Sequence, residues 1–249
     1  HRLTDQIKAL RRQIAGDMGF IMPSVRILDN MQLPASIYAL RIKEVEAGRG
    51  DLRPDKLLVM DPQGGAIDLQ GEATTEPTFN LPAMWVEETL REEASFRGYT
   101  VVDPPTVVTT HLTEVLRDNM ADLLSYAATQ RLLDDLPHEH HKLVEDVVPA
   151  QLSVTAVQRV LQRLLSERIS IRDLPTILEG IAEAVGFTQN VVQIAEHVRA
   201  RLARQISHAS TSMNGYIPLV PLSPEWEQDF AEAIIGQGDE MQLAMAPTK

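Results

Sequence analysis

Four histidine and glutamate residues in a row, His138-Glu139-His140-His141, form the densest group of metal-ligating side chains in the sequence. A zinc helix needs histidines at i and i+4, so that both rings face the same way. Position 142 is Lys, so that spacing fails, and the run reads as a solvated stretch between helices. Gly64-Gly65 is the only double glycine; it lacks the lysine and the following helix that a phosphate cradle requires. No Gly-x-Ser-x-Gly elbow exists. Thr110 and His111 are adjacent, so on a helix they diverge by about 100° and cannot serve each other as nucleophile and base. The carboxylate pairs Glu87-Glu88, Glu92-Glu93 and Asp134-Asp135 fall on polar helix faces, where solvation is their ordinary role. What remains is Glu76-Pro77-Thr78-Phe79, in which an aromatic interrupts a polar run. It has two readings. Phe79 is either a contact anchor on a loop, or a staple packing beside Trp85 or Val86 at a helix start.

These residues must be positioned by the surrounding elements. Leu3, Ile7, Leu10 and Ile14 recur at helical spacing and predict a helix over 3–18, with Gly16 and Gly19 as stops. Strands are expected at Val25–Leu28, at Ile37–Ile42 with an extension towards Val45, and at Lys56–Met60. Gly48-Arg49-Gly50 reads as a break, and 61–80 as a long surface loop. Asn80 and Pro82 open what reads as the clearest helix, Leu81 to Arg97, with Glu87–Arg91 and Glu93–Arg97 as supporting pairs and Gly98 as its stop. Tyr99–Val102 is a strand, and Asp103-Pro104-Pro105 opens a helix whose stripe is Val107, Val108, His111, Leu112, Val115 and Leu116. From about 119 to 208 nearly all is helical: 121–133, 142–148, and helices capped by Ser153, Asp173 and Asn190, with Ile169–Ile171 as an extended link. A turn at Met213-Asn214-Gly215, an irregular strand at 216–222 and a helix from Ser223 through Ile235 close the pattern.

The bulk numbers narrow the function. With 249 residues, 44% hydrophobic and 23% charged, the chain can bury a core and exceeds one typical domain. Its net charge of −12 opposes phosphate backbones and anionic lipid, so neither nucleic acid nor a membrane surface is an expected partner. Arg2, Lys8, Arg11 and Arg12 form the one basic cluster, read as a solvated helix face. Without cysteine there is no disulfide and no thiolate chemistry. No run approaches the roughly 20 apolar residues of a membrane helix. The ends, His1 and Ala246–Lys249, read as those of a trimmed chain.

Several runs together resemble one family. They are Asp17–Phe20, Val25–Asn30, Glu76–Trp85, Gly98–Asp103, Thr106–Leu112 and Ile169–Leu174, in this order and across essentially the whole chain. They resemble the cytosolic region of the FlhA family of flagellar type III export proteins, whose relatives serve virulence injectisomes. The resemblance implies an α/β and α multi-subdomain fold. A small α/β first subdomain, 1–54 plus 104–123 and lacking its N-terminal strand, is interrupted by an inserted α+β subdomain at 55–103. An all-helical third subdomain at 124–203 and the start of a C-terminal α/β fourth, 204–249, follow. It implies a docking platform for flagellar export chaperones with cargo and for other export-apparatus proteins, not an enzyme, without cofactors or metal. It also implies a homo-oligomeric ring, joined to the inner membrane only through an absent N-terminal region. The family's chaperone-binding motif lands on Glu76, Phe79 and Thr110. The acidic position is often Asp elsewhere; Glu keeps the charge and adds one methylene. On this footing Phe79 reads as the anchor.

Overall fold

The computed structural model describes residues 2–236 and 241–245. Residue 1, 237–240 and 246–249 lie outside them, and with them both ends read above as trimmed. The chain divides into two compact units, His1–Leu124 and Ser125–Lys249.

The first unit opens with α1 (Arg2–Met18), which buries Ile7, Leu10 and Ile14 and stops at Gly19 (φ 85°). Residues 21–30 form no strand, against expectation, and Ile27 and Leu28 lie exposed. A β-branched run looks like a strand locally, but a strand needs a neighbouring edge to pair with. The hairpin follows: β1 (Ile37–Ile42) pairs antiparallel with β2 (Val45–Asp51). The expected break at Gly48-Arg49-Gly50 therefore lies inside a strand.

A four-stranded antiparallel sheet comes next, in the order β4-β5-β3-β6, built from β3 (Lys56–Met60), β4 (Glu72–Thr75), β5 (Pro82–Glu87) and β6 (Thr100–Val102). β4 lies within the stretch expected to be loop. β5 replaces the first half of the expected helix; only a 3₁₀ turn at Glu88–Leu90 and α2 (Arg91–Phe96) are helical there. The reason is burial on both faces. Leu57, Val59 and Val86 pack with Ala94 on one side, and Leu58, Ala83 and Trp85 pack with Val107 on the other. A strand covered on both sides reads as an unbroken apolar run, and such a short run looks the same as a buried helix segment. Glu87 accordingly pairs across the sheet with Lys56 at 3.4 Å and not with Arg91, whereas the expected Glu93–Arg97 pair forms at 2.6 Å.

α3 (Pro104–Asp118) starts as expected: the Asp103 carboxylate accepts from the Thr106 N–H at 2.9 Å. It buries Val107, His111, Leu112, Val115 and Leu116, and packs on α1, β2 and β3. The helix expected at 121–133 is two helices, α4 (Met120–Leu123) and α5 (Tyr126–Asp134), because Ser125 caps a new start.

The second unit is helical through residue 210. Beyond α5 come α6 (His141–Val147), α7 (Val154–Ser166), α8 (Leu174–Ala184), α9 (Val191–Arg201) and α10 (Ala203–Ser210). Ser153, Asp173 and Asn190 cap α7, α8 and α9 as expected. Val160, Leu161, Leu164, Ile177, Ile181, Ile194 and Val198 are fully buried and form its core. Residues 211–223 contain a turn, with Gly215 at φ 81°, but no strand. α11 (Pro224–Ala233), capped by Ser223, leads into the short pair β7 (Ile234–Ile235) and β8 (Gln242–Leu243).

Candidate docking site

The loop between β4 and β5 is a closed turn. The Glu76 N–H donates to the Leu81 carbonyl at 2.8 Å, and the Asn80 N–H donates back to the Glu76 carbonyl at 3.0 Å. Asn80 takes a left-handed conformation (φ 56°), which Asn tolerates better than most residues. It is a turn residue here and not a helix cap. The Glu76 carboxylate accepts two further backbone N–H groups, from Thr78 at 2.8 Å and from Phe79 at 2.7 Å. Hydrogen bonds to an ionised acceptor are about twice as strong as neutral ones. One acidic side chain thereby fixes the backbone that carries Phe79.

The three motif residues differ in exposure. Glu76 is buried at 4% exposure, whereas the Phe79 ring is 59% exposed and Thr110 on α3 is exposed. Glu76 therefore meets the loop's own backbone and not solvent. Pro82–Glu87 is a strand, so there is no helix start for Phe79 to staple, and Trp85 and Val86 are each 1% exposed within the sheet cores. Both of Phe79's proposed packing partners are strand residues that belong to the two core layers of the sheet.

The sequence reading overlooked one side chain on β1. The Tyr38 hydroxyl on β1 is 2.8 Å from Nδ1 of buried His111, and the two rings meet edge to face at 5.8 Å. Burial pushes the Tyr38 hydroxyl well above its ordinary range, and the charge of Glu76 adds to that. Burial also holds His111 below its ordinary value, with Glu76 opposing. The signal for Tyr38 was the glycine pair two apart on β2. A Cβ on Gly50 would sit 2.5 Å from the Tyr38 hydroxyl, and one on Gly48 would sit 2.8 Å from His111 Nε2. Alternate glycines in a strand mark such a close approach.

Two expectations follow. Gly50→Ala is expected to destabilise the unit by about 1–3 kcal/mol, read as a lower urea midpoint, because the ring at Tyr38 must shift. His111 gives a pH dependence. Its folded-state value lies below the ordinary 6.5, so the unfolded chain takes up the proton first. Its contribution is intact above the unfolded value and is lost as pH falls through 6.5 towards the folded one. Urea midpoints between about pH 7.5 and 5.5 are expected to fall less in His111→Gln than in the parent chain.

The other candidates resolve into ordinary contacts. His141 Nε2 is 2.8 Å from the Leu136 carbonyl, and the His138 and His141 rings lie 5.2 Å apart. Among the described residues no cluster of three His, Asp or Glu side chains is gathered around a metal-sized space. Gly64 closes a turn on the Asp61 carbonyl at 2.9 Å. In the basic cluster Arg2 pairs with Asp103 at 2.6 Å and Arg11 donates to the Met22 carbonyl at 3.0 Å. A groove of about 370 Å³ between α7 and α9, lined by Arg159, Arg163 and Val191, carries no catalytic set. No helix among the described residues is long and apolar enough to cross a membrane.

A family model described as the FHIPEP family matches residues 1–249. The flagellar biosynthesis protein FlhA of Caulobacter vibrioides is 58% identical over 248 residues, covering 100% of this chain and 35% of that protein. The chain thus spans about a third of the length of its curated relatives. Among solved structures, a chain of the Chlamydia pneumoniae CdsV and CdsO protein complex superposes with a TM-score of 0.84 at 24% identity, over 99% of this chain and 72% of that one. The nonameric EPEC SctV-C, solved by cryo-electron microscopy, superposes with a TM-score of 0.72 at 22% identity, over 99% and 74%.

Proposed function

The chain belongs to the FHIPEP family, and from that premise we propose that it is a docking platform of the flagellar type III export apparatus. In this reading it receives flagellar export chaperones loaded with cargo, below an export gate at the cytoplasmic face of the inner membrane. Phe79 is the anchor, Thr110 a polar contact beside it, and Glu76 the residue that holds the loop in shape. Copies of the chain close into a ring, to which the helical subdomain contributes much of the contact. The four-part division proposed with this reading is 1–54 plus 104–123, 55–103, 124–203 and 204–249.

One observation carries the docking role. A large aromatic stands 59% exposed on a turn whose backbone is fixed by a buried carboxylate. Exposing such a ring forgoes about 1.5–3 kcal/mol of burial, a cost a partner's surface recovers. A turn that is already ordered loses little entropy on binding. Flagellar use is favoured over injectisome use because the 58% identical relative is a flagellar protein, whereas the likeness to CdsV and SctV-C stands at 22–24%. The nonamer formed by SctV-C supports the ring, and the complex of CdsV with CdsO supports contacts to other export proteins.

Calorimetric titration of the chain with a purified flagellar chaperone–cargo complex tests the proposal. Saturable binding is expected. No binding at concentrations up to about 100 μM, a ceiling near −5.5 kcal/mol, would remove the docking role.

A further inference from the structure

The turn that carries Phe79 is delivered by a short strand at the edge of its sheet. β4 has 4 residues and pairs with β5 from Glu72, opposite Trp85, to Thr75, opposite Pro82, where the turn begins. Residues 61–71 lead into it without helix or strand. We infer that Arg53 is a positioning residue for the docking loop: by gripping Glu72 it pins the start of β4, and with it the turn from Glu76 to Leu81, to the end of the hairpin. Its functional consequence rests on the docking reading; the grip itself does not.

A short edge strand opens easily unless something outside its own ladder holds it. Arg53 supplies that hold with its whole fork. Its Nε donates to one Glu72 oxygen at 3.0 Å, and one terminal nitrogen donates to the other oxygen. The second terminal nitrogen donates to the Asp51 carboxylate at 2.6 Å and to the Leu52 carbonyl at 3.1 Å. Exposed ion pairs ordinarily contribute little; a bidentate arginine–carboxylate pair extended into a network by a second carboxylate is the geometry that does count. The backbone behind the fork is fixed as well. Asp51 ends β2, opposite Ile37. The Leu52 N–H donates to the Ser36 carbonyl at 2.8 Å, and the Leu52 side chain packs on the layer of Leu58, Ala83, Trp85 and Val107. Arg53 thus ties β4 to a segment that is itself anchored. At the far end of β4 the Glu76 N–H closes the turn on the Leu81 carbonyl at 2.8 Å. Releasing Glu72 lets the ladder open from its start towards Thr75, and the turn loosens with it. Arg53 touches no partner in this scheme; it acts through the placement of Phe79.

Two measurements on the full chain test it. The first is amide hydrogen exchange at Glu76 and Asn80, the donors that close the turn, followed by NMR without any partner. Arg53→Met keeps the apolar stem and removes every donor; it is expected to speed exchange at both amides by about threefold or more, with α7–α9 unchanged. Arg53→Lys keeps the charge without the fork and is expected to fall between Arg53→Met and the parent. Glu72→Gln is expected to act like Arg53→Met when made alone, and to add less than about 1.5-fold in the Arg53→Met background. Exchange within about 1.5-fold of the parent in Arg53→Met, or effects of the two substitutions that simply multiply, overturns the grip. The second is a double-mutant cycle on binding of a flagellar chaperone–cargo complex. Arg53→Met is expected to weaken binding about threefold in the parent chain and less than about 1.5-fold in a Phe79→Ala background. Equal losses in both backgrounds would show that Arg53 acts by another route and overturn the positioning role. If Phe79→Ala alone leaves affinity unchanged, the docking reading falls, and the grip on β4 is decided by the exchange rates.

Discussion

Phe79→Ala is expected to weaken binding of a flagellar chaperone–cargo complex by about 5–30-fold, the 1–2 kcal/mol typical of an aromatic anchor truncated at an interface. Its unfolding midpoint is expected to stay close to that of the parent. The ring is 59% exposed, and surface substitutions away from caps and networks usually shift stability by less than about 0.5 kcal/mol. The hydrogen bonds that shape the turn use the backbone N–H of residue 79 and survive the change. Calorimetry and urea unfolding on the same sample separate the two effects. A stability loss comparable to the affinity loss would mean that the ring packs within its own unit and anchors nothing.

Trp85→Ala is expected to do the reverse, costing about 3–5 kcal/mol of folding stability, the range for truncating a buried large aromatic. Trp85 is 1% exposed and packs with Leu58, Ala83 and Val107, the layer that joins the sheet to α3. Against a total stability of roughly 5–15 kcal/mol, that loss unfolds a large share of the molecules. The indole N–H is buried with no acceptor within hydrogen-bond distance. Trp85→Phe removes that unsatisfied donor while keeping most of the apolar volume, and is expected to cost less than about 1.5 kcal/mol. Urea unfolding followed by far-UV circular dichroism compares the two variants. Equal losses in both would mean that the volume Phe restores does not matter, against the cavity account.

Six residues apart, these two aromatics have opposite fates, and the sequence did not distinguish them. It offered Phe79 as a staple against Trp85, a reading that needs a helix from Leu81. In the fold that stretch is β5, one of whose two neighbours, Lys56–Met60, lies more than 20 residues away. Once β5 sits between β4 and β3, Trp85 faces α3 and the turn before it projects outward. The assignment of the motif to Glu76, Phe79 and Thr110 came from a likeness to a family. Its division of labour, with Glu76 turned inward, came from the fold.

What the sequence determined by itself was local. Asp103, Ser125, Ser153, Asp173, Asn190 and Ser223 each accept a backbone N–H two or three residues on, and all but Ser125 were legible as helix starts. β3 and the apolar stripe of α3 were equally plain, because their period lies within the element. Only tertiary structure decided β4, β5, the strand placement of Gly48 and Gly50, and the contact of Tyr38 with His111. Each depends on a surface supplied from elsewhere in the chain, and long-range packing overrides local preference wherever both faces of an element are covered.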